Sequence, residues 1–141
     1  MNAAEQAKSL ETASKIATLV NLFKSEFPDA KADLKPWAND PDTRELVDPD
    51  SIDVAFHLPG FSRLFQSRSI LLQIRFHEDG MTCDRRAIGA EVAGFDHQGK
   101  RWWLSTVHDW SFEGDRCPAP QVADKLKLFL RQAIDLFNPG S

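Results

Sequence analysis

The segment "DHQGKRWWLSTVHDW", residues 96–110, concentrates side chains that can do chemistry: two histidines, two aspartates and three of the chain's four tryptophans. A histidine beside a carboxylate is a common arrangement for general acid–base catalysis. His97, however, is predicted at the tip of a loop. Asp109 follows His108 directly, so in a strand their side chains point to opposite faces. The segment therefore predicts a β-hairpin rather than an active site.

The predicted register of this hairpin decides which side chains face the core. Asp96 and Gly99 are typical of a type I turn closed by a glycine bulge, which pairs Asp96 with Lys100. Val92 then lies opposite Leu104, and the further predicted pairs are Phe95–Arg101, Ala93–Trp103, Ala90–Thr106, Gly89–Val107 and Ile88–His108. A slip by one residue would turn the apolar set outward. The predicted core face of the fourth strand comprises Trp102, Leu104, Thr106, His108, Trp110 and Phe112.

The outer face of the predicted sheet mixes apolar and arginine side chains, a composition that protein interfaces favour. The candidate partner-binding residues are Leu71, Arg75, Phe95, Arg101, Trp103 and Val107. We therefore expect a non-catalytic module for protein interaction, assembly or self-association. Coverage of this face by a helix or by the long connection is the competing interpretation.

Two other functions stay open at this point. A small-ligand pocket between sheet and helices, enzymatic or not, would be lined by Arg86, His108 and Trp110. A single-strand nucleic-acid platform is the second, because aromatic and arginine side chains on a four-stranded sheet can stack bases. The net charge of −4 argues against a general nucleic-acid binder, which usually has a basic excess.

Signatures of specific reactions are missing from the sequence. There is no GxSxG, P-loop or dinucleotide pattern, and Gly89 and Gly94 are typical of close backbone contacts within a strand. His57 and His77 are predicted on the outer face without metal-ligand spacing, and the acids of residues 40–53 lack the order of a calcium loop. Cys83 and Cys117 form no zinc or disulfide pattern. We expect no catalytic residue, metal or cofactor.

Composition and periodicity predict one α+β domain over the 141 residues. An amphipathic helix is predicted over residues 1–27, ended by Pro28, and a long acidic proline-rich connection over residues 28–50. Alternating strands "SIDVAFHL", "SILLQIRFH" and "AIGAEVAGF" precede the "RWWLST" strand, forming a four-stranded antiparallel meander. A C-terminal helix begins near Pro120, and its apolar stripe comprises Val122, Leu126, Phe129, Leu130, Ala133 and Phe137. Both helices are predicted to pack on one face of the sheet.

The chain has no run of about 18 apolar residues and no signal-peptide pattern, which predicts a cytoplasmic protein. The stretches "DPDSIDVAFHLPGF", "SRSILLQIRF" and "RRAIGAEVAGFDHQGKRWWLST" resemble a family of small uncharacterised cyanobacterial proteins, over roughly residues 40–137. The resemblance rests on whole stretches and not on a catalytic signature. It implies a cyanobacterial cytosol and carries no activity over to this chain.

Overall fold

In the computed structural model, which describes residues 1–37, 50–78 and 85–138, six strands form one antiparallel sheet. The strands are β1 (Lys31–Asp33), β2 (Ser51–Ser62), β3 (Ser67–Glu78), β4 (Arg85–Asp96), β5 (Gly99–Ser105) and β6 (Phe112–Gly114), and each pairs with the next along the chain. The antiparallel meander is confirmed, but the predicted number of four strands is wrong. The additional strands β1 and β6 lie at the edges and have three residues each, too few for an alternating pattern to be recognised.

Three helices accompany the sheet in the described part of the chain: α1 (Ala3–Gln6), α2 (Leu10–Glu26) and α3 (Pro120–Phe137). The prediction of a single helix over residues 1–27 is therefore wrong, because the helical conformation is interrupted between Gln6 and Leu10. Ser9 adopts an extended conformation there, and its hydroxyl accepts a hydrogen bond from the Thr12 amide at 3.1 Å, which is an N-cap. The short helix α1 turns toward β2 instead, where the Gln6 side chain donates to the Ser51 carbonyl at 3.0 Å.

The core lies between α2, α3 and the inner face of the sheet. Helix α3 buries all six residues of its predicted stripe, and Ile70, Leu72, Ile74, Val92 and Leu104 of the sheet are fully buried, as the alternating pattern predicted. The Phe23 ring of α2 stacks on Phe56 of β2 with the centroids 3.8 Å apart. Asn138, just after α3, pairs its side-chain amide with the backbone of Ala87 at 2.7 and 2.9 Å, which ties the helix end to β4.

The largest core side chain is Trp102, which is fully buried opposite Gly94. Its indole N–H donates to the Phe65 carbonyl at 2.7 Å, so the buried polar atom is satisfied. A Cβ atom at Gly94 would lie 2.3 Å from the indole ring. Glycine is therefore required on β4 for the tryptophan to lie flat against the sheet.

The β4–β5 hairpin confirms the predicted pairs Val92–Leu104 and Ala93–Trp103 but places the bulge elsewhere. Asp96 pairs with Gly99 and Phe95 with Lys100, so the predicted pairs Asp96–Lys100 and Phe95–Arg101 are wrong. Arg101 is the extra residue instead. Its carbonyl accepts the amides of Asp115 and Arg116 at 3.1 and 3.3 Å, and these bonds from the chain beyond β6 fix the bulge there.

The fourth predicted strand ends earlier than its pattern suggested. Asp109 and Trp110 have φ angles of 59° and 56°, so the chain reverses after Ser105 and Phe112 returns opposite Leu104 in β6. His108 is exposed in this turn, and its predicted place on the inner face is wrong. A bulge between Arg75 and Phe76 of the β3–β4 pairing similarly leaves Ile88 61% exposed, against its predicted inner position.

We expect Gly94→Ala to lower the free energy of unfolding by about 3 kcal/mol, because the added methyl group overpacks the indole of Trp102. The matched control is Gly60→Ala, since a Cβ at Gly60 meets no atom within 4 Å. That variant should unfold within about 1 kcal/mol of the wild type. Urea unfolding of the three proteins measures the difference, and equal midpoints for the two variants would contradict this packing.

Candidate functional site

The outer face of the sheet, opposite α2 and α3, carries a row of side chains that crosses all six described strands. The pairing registers align Asp33, Ala55, Leu71, Ala93, Trp103 and Glu113. The four central members are apolar, and an acid closes each end. Leu71 and Trp103 are half-buried, which leaves part of each side chain at the surface.

The first part of the long connection reaches over this row. Pro36 and Trp37 form one wall of a mostly apolar cleft of about 200 Å³, whose other walls are Ala55, Ser69, Ile70, Leu71 and Phe95. Two predicted partner-binding residues, Leu71 and Phe95, therefore line a cleft and not an open surface. Coverage by the connection, the competing interpretation, applies at the β2 side of the face, while residues 38–49 lie outside the described chain.

A buried carboxylate holds Trp37 in place. The Asp53 side chain is fully buried and accepts hydrogen bonds from the Trp37 indole, from the Ser51 hydroxyl at 2.9 Å and from the Met1 ammonium at 3.0 Å. The Trp37 amide donates to the Asn2 side chain at 2.9 Å, and that side chain donates back to the Trp37 carbonyl at 3.2 Å. The wall of the cleft is thus fixed by backbone and side-chain bonds together.

At the edge of the same cleft, Asp33, His57 and Ser69 form a hydrogen-bonded chain across β1, β2 and β3. The His57 Nε2 atom lies 3.0 Å from a carboxylate oxygen of Asp33, and the His57 Nδ1 atom lies 2.8 Å from the Ser69 hydroxyl. His57 and Ser69 are directly opposite each other in the β2–β3 pairing, and Asp33 is diagonal to His57. The side chains of His57 and Asp33 are 47% and 36% exposed, so solvent reaches the chain.

The ionised carboxylate of Asp33 determines which atoms carry the protons in this hydrogen-bonded chain. Because an ionised Asp33 can only accept, the neutral imidazole carries its proton on Nε2, and the Ser69 hydroxyl donates to Nδ1. The hydrogen bond from His57 lowers the pKa of the Asp33 carboxyl below its ordinary value, against the opposing effect of burial. A hydroxyl that donates to an imidazole, itself oriented by a carboxylate, is an arrangement for an activated serine.

The sequence did not reveal this chain, because its three residues lie 24 and 12 positions apart on separate strands. Asp33 fell in a segment predicted as a connection, so no pairing partner was expected for it. The sequence also did not predict the β2–β3 register, because a bulge between His57 and Ser62 separates the regularly paired residues from the turn. The alternation that places His57 on the outer face was the one available signal.

A second cleft, of about 270 Å³, lies at the opposite end of the outer face. It is lined by Arg75, Ile88, Gly89, Ala90, Glu91, Ser105, Val107 and His108. Ile88 and Val107 are 61% and 67% exposed. The structure thus brings together Arg75 and Val107 from the predicted partner surface with His108 from the predicted ligand pocket.

The other two residues of the predicted partner surface are engaged within the sheet. Arg101 lies with its Nε atom 3.1 Å from the Asp96 carboxylate and a terminal nitrogen 3.4 Å from that of Asp115. The Trp103 indole donates to Glu113 at 2.9 Å, and the Lys100 ammonium lies 5.0 Å from its ring centre. These contacts place charged side chains at the β5 side of the outer face.

The structure does not assemble the predicted ligand pocket of Arg86, His108 and Trp110. Arg86 is exposed opposite His77 on β3, and neither it nor Trp110 borders the cleft that contains His108. Trp110 is half-buried against the core, where the Arg131 guanidinium of α3 lies 5.4 Å from its ring centre. The turn after Ser105 separates these side chains, because it carries His108 outward.

Within the described residues, no three His, Cys, Asp or Glu side chains are grouped closely enough to hold a metal ion. Cys117 is exposed with a free thiol, and Cys83 lies outside the described chain. No helix in the described ranges is both long and apolar enough to span a bilayer.

The Asp33–His57 contact should make stability depend on pH in a specific direction. Because folding lowers the pKa of Asp33, the stabilisation is present above the ordinary value of 3.8 and is lost as pH falls through the folded value. The difference in unfolding free energy between wild type and Asp33→Asn should therefore shrink toward acidic pH. In a His57→Ala background the same substitution should show a much weaker pH dependence. Equal pH dependence in both backgrounds would contradict the contact.

The comparisons with known proteins give a family and no activity. A family model described as a domain of unknown function matches residues 4–139. No curated protein and no solved structure matches the chain. The expectation of an uncharacterised family is confirmed, while the cyanobacterial origin stays a prediction. Since the match covers nearly the whole sequence, the chain belongs to the family that this domain of unknown function defines.

Proposed function

We propose that the protein is an assembly module that self-associates through the outer face of its sheet, centred on the cleft between Arg75 and Val107. The observation that carries the proposal is the exposure of Ile88 and Val107 at 61% and 67% on the border of one cleft. Folding usually places large aliphatic side chains of a sheet inside. Contiguous exposed apolar side chains rimmed by polar ones mark interaction sites in many proteins.

The charges around this cleft favour a second copy of the chain as the occupant. Arg75 and Glu91 border the same cleft and have opposite signs, and the Glu91 carboxylate also lies 3.0 Å from the Lys100 ammonium of its own copy. In a two-fold symmetric interface each surface meets itself, so a cation of one copy can face an anion of the other. Ile88 and Val107 would then form the apolar centre, and the Arg75–Glu91 contacts its rim. A strongly one-sided charge would instead favour a partner of opposite sign.

The outer face offers less to a nucleic acid. The row of side chains that crosses all six described strands has an acid at each end, Asp33 and Glu113. The chain as a whole has a net charge of −4. Phosphate backbones are bound mainly by clusters of lysine and arginine, which give binding its salt dependence. Arg101, the arginine at the centre of β5, already faces Asp96 and Asp115. Self-association therefore agrees better with the distribution of charge.

We expect Val107→Asp to weaken self-association at least about tenfold, because it buries a carboxylate at the apolar centre of the interface. Sedimentation equilibrium over a wide range of protein concentrations measures the association constant. The matched control is Leu128→Asp, since Leu128 is 55% exposed on α3, on the other side of the sheet. That variant should associate like the wild type.

Trp103→Ala tests whether the interface extends beyond this cleft. If the interface includes the row of side chains that crosses all six described strands, this substitution also weakens association at least about tenfold while the fold stays nearly as stable. A wild-type protein that stays monomeric at every concentration would contradict self-association. Retention of a different protein by the wild type, lost in Val107→Asp, would replace the second copy by that partner.

A further inference from the structure

We propose that Ser69 is an activated nucleophile and that the cleft beneath Trp37 takes small activated esters with one aromatic or branched apolar group. Ser69 both borders this cleft and bonds to His57. The site is separate from the cleft between Arg75 and Val107, the assembly cleft, since Ser69 and Arg75 are six positions apart on β3, about 20 Å along the strand. Substitutions at Ser69 and at Val107 therefore test the two sites separately.

The geometry supplies a nucleophile, a base and a group that orients the base. The hydroxyl of Ser69 lies 2.8 Å from His57 Nδ1, and the opposite nitrogen lies 3.0 Å from Asp33. Both separations are within the range required for proton transfer and orientation. Ser69 and His57 would be the catalytic residues, while Asp33 acts through the imidazole and is a positioning residue.

The size and lining of the cleft define the substrate class. Its volume of about 200 Å³ is similar to that of cavities that hold a single benzene ring, about 150 Å³. Trp37, Leu71 and Phe95 offer apolar and aromatic surfaces to such a group. The Ser69 hydroxyl at the edge of the cleft would then lie next to the ester bond of a bound substrate.

The reaction balances with water as the second reactant. The Ser69 oxygen forms a bond to the ester carbonyl carbon, its proton moves to His57 Nδ1, and the bond to the alcohol or phenol oxygen breaks. The leaving oxygen takes that proton, which returns His57 to its neutral form. Water then attacks the acyl-serine with His57 again as the base, releasing the carboxylic acid and restoring Ser69.

The surroundings of Ser69 limit how reactive the substrate must be. Ser69 pairs with His57 on one side and Phe95 on the other, so its backbone belongs to the sheet ladder. The row that contains His57 and Ser69 also holds Lys31, whose positive charge favours a developing oxyanion, while Lys100 at the far end of that row is paired with Glu91 at 3.0 Å. The long-range charge of Lys31 stabilises less than a donor in direct contact. Activated esters are therefore the expected substrates, and amides are not.

Two probes test the proposal on the full chain. A fluorophosphonate should label Ser69, identified by mass spectrometry of the peptides, with loss of fluoride, and p-nitrophenyl acetate should release p-nitrophenolate. Ser69→Ala should abolish the labelling at this position and the release above background. Ser111→Ala is the matched control, because Ser111 is an exposed serine whose hydroxyl bonds to a backbone carbonyl, and it should react like the wild type.

Variants of the neighbours separate catalysis from folding. His57→Gln should slow the labelling at least about a hundredfold, the usual contribution of a general base. Asp33→Asn should slow it less, because the imidazole loses the carboxylate that orients it, and Asp33→Glu should restore most of the rate. Urea unfolding of each variant shows whether the fold is kept.

The decisive comparison is between Ser69 and the other serines of the same folded protein. Labelling of Ser69 no faster than that of Ser111, or equal rates in wild type and His57→Gln, would overturn the proposal. Leu71→Trp should fill the cleft and block aryl-bearing probes more than methyl-bearing ones, and equal effects on both would overturn the assigned substrate class. Val107→Asp should leave the labelling unchanged, because it affects the assembly cleft alone.

Discussion

The fully buried carboxylate of Asp53 is the constraint on which the outer face depends. A buried charge is costly unless its partners compensate for the lost hydration. Three donors do so here: the Met1 ammonium, the Trp37 indole and the Ser51 hydroxyl. They come from the N-terminus, from the long connection and from β2 itself. Satisfying one side chain therefore fixes two segments that carry little regular structure of their own.

The consequences extend from Asp53 to the candidate site. Once Trp37 is held against β2, it becomes the wall of the cleft that Leu71 and Phe95 complete. The same stretch of chain forms β1, whose pairing with β2 brings Asp33 to His57. The buried carboxylate and the Asp33–His57–Ser69 chain are thus parts of one arrangement. Both depend on where the connection crosses the sheet edge.

Two β-bulges, at Ile88 and Arg101, make the two ends of the sheet different. The extra residue at Arg101 keeps Trp102 inward over Gly94 while the hairpin turn closes on Asp96 and Gly99. The shift between Arg75 and Phe76 turns Ile88 outward, which creates the exposed apolar end of the face. A bulge re-aims side chains without ending a strand. Regular alternation would have buried Ile88 and left the outer face without its second cleft.

The sequence by itself determined the elements whose side chains repeat with a clear period. The stripe of α3, the inward residues of β2 to β4 and the pair Val92–Leu104 were predicted because burial of apolar surface enforces each period over many residues. The tertiary structure decided what no period encodes: the edge strands β1 and β6, the bulges at Ile88 and Arg101, and the outward position of His108. The Asp33–His57–Ser69 chain belongs to the second group, because it depends on strand register between distant residues, which turns, bulges and a buried carboxylate set together.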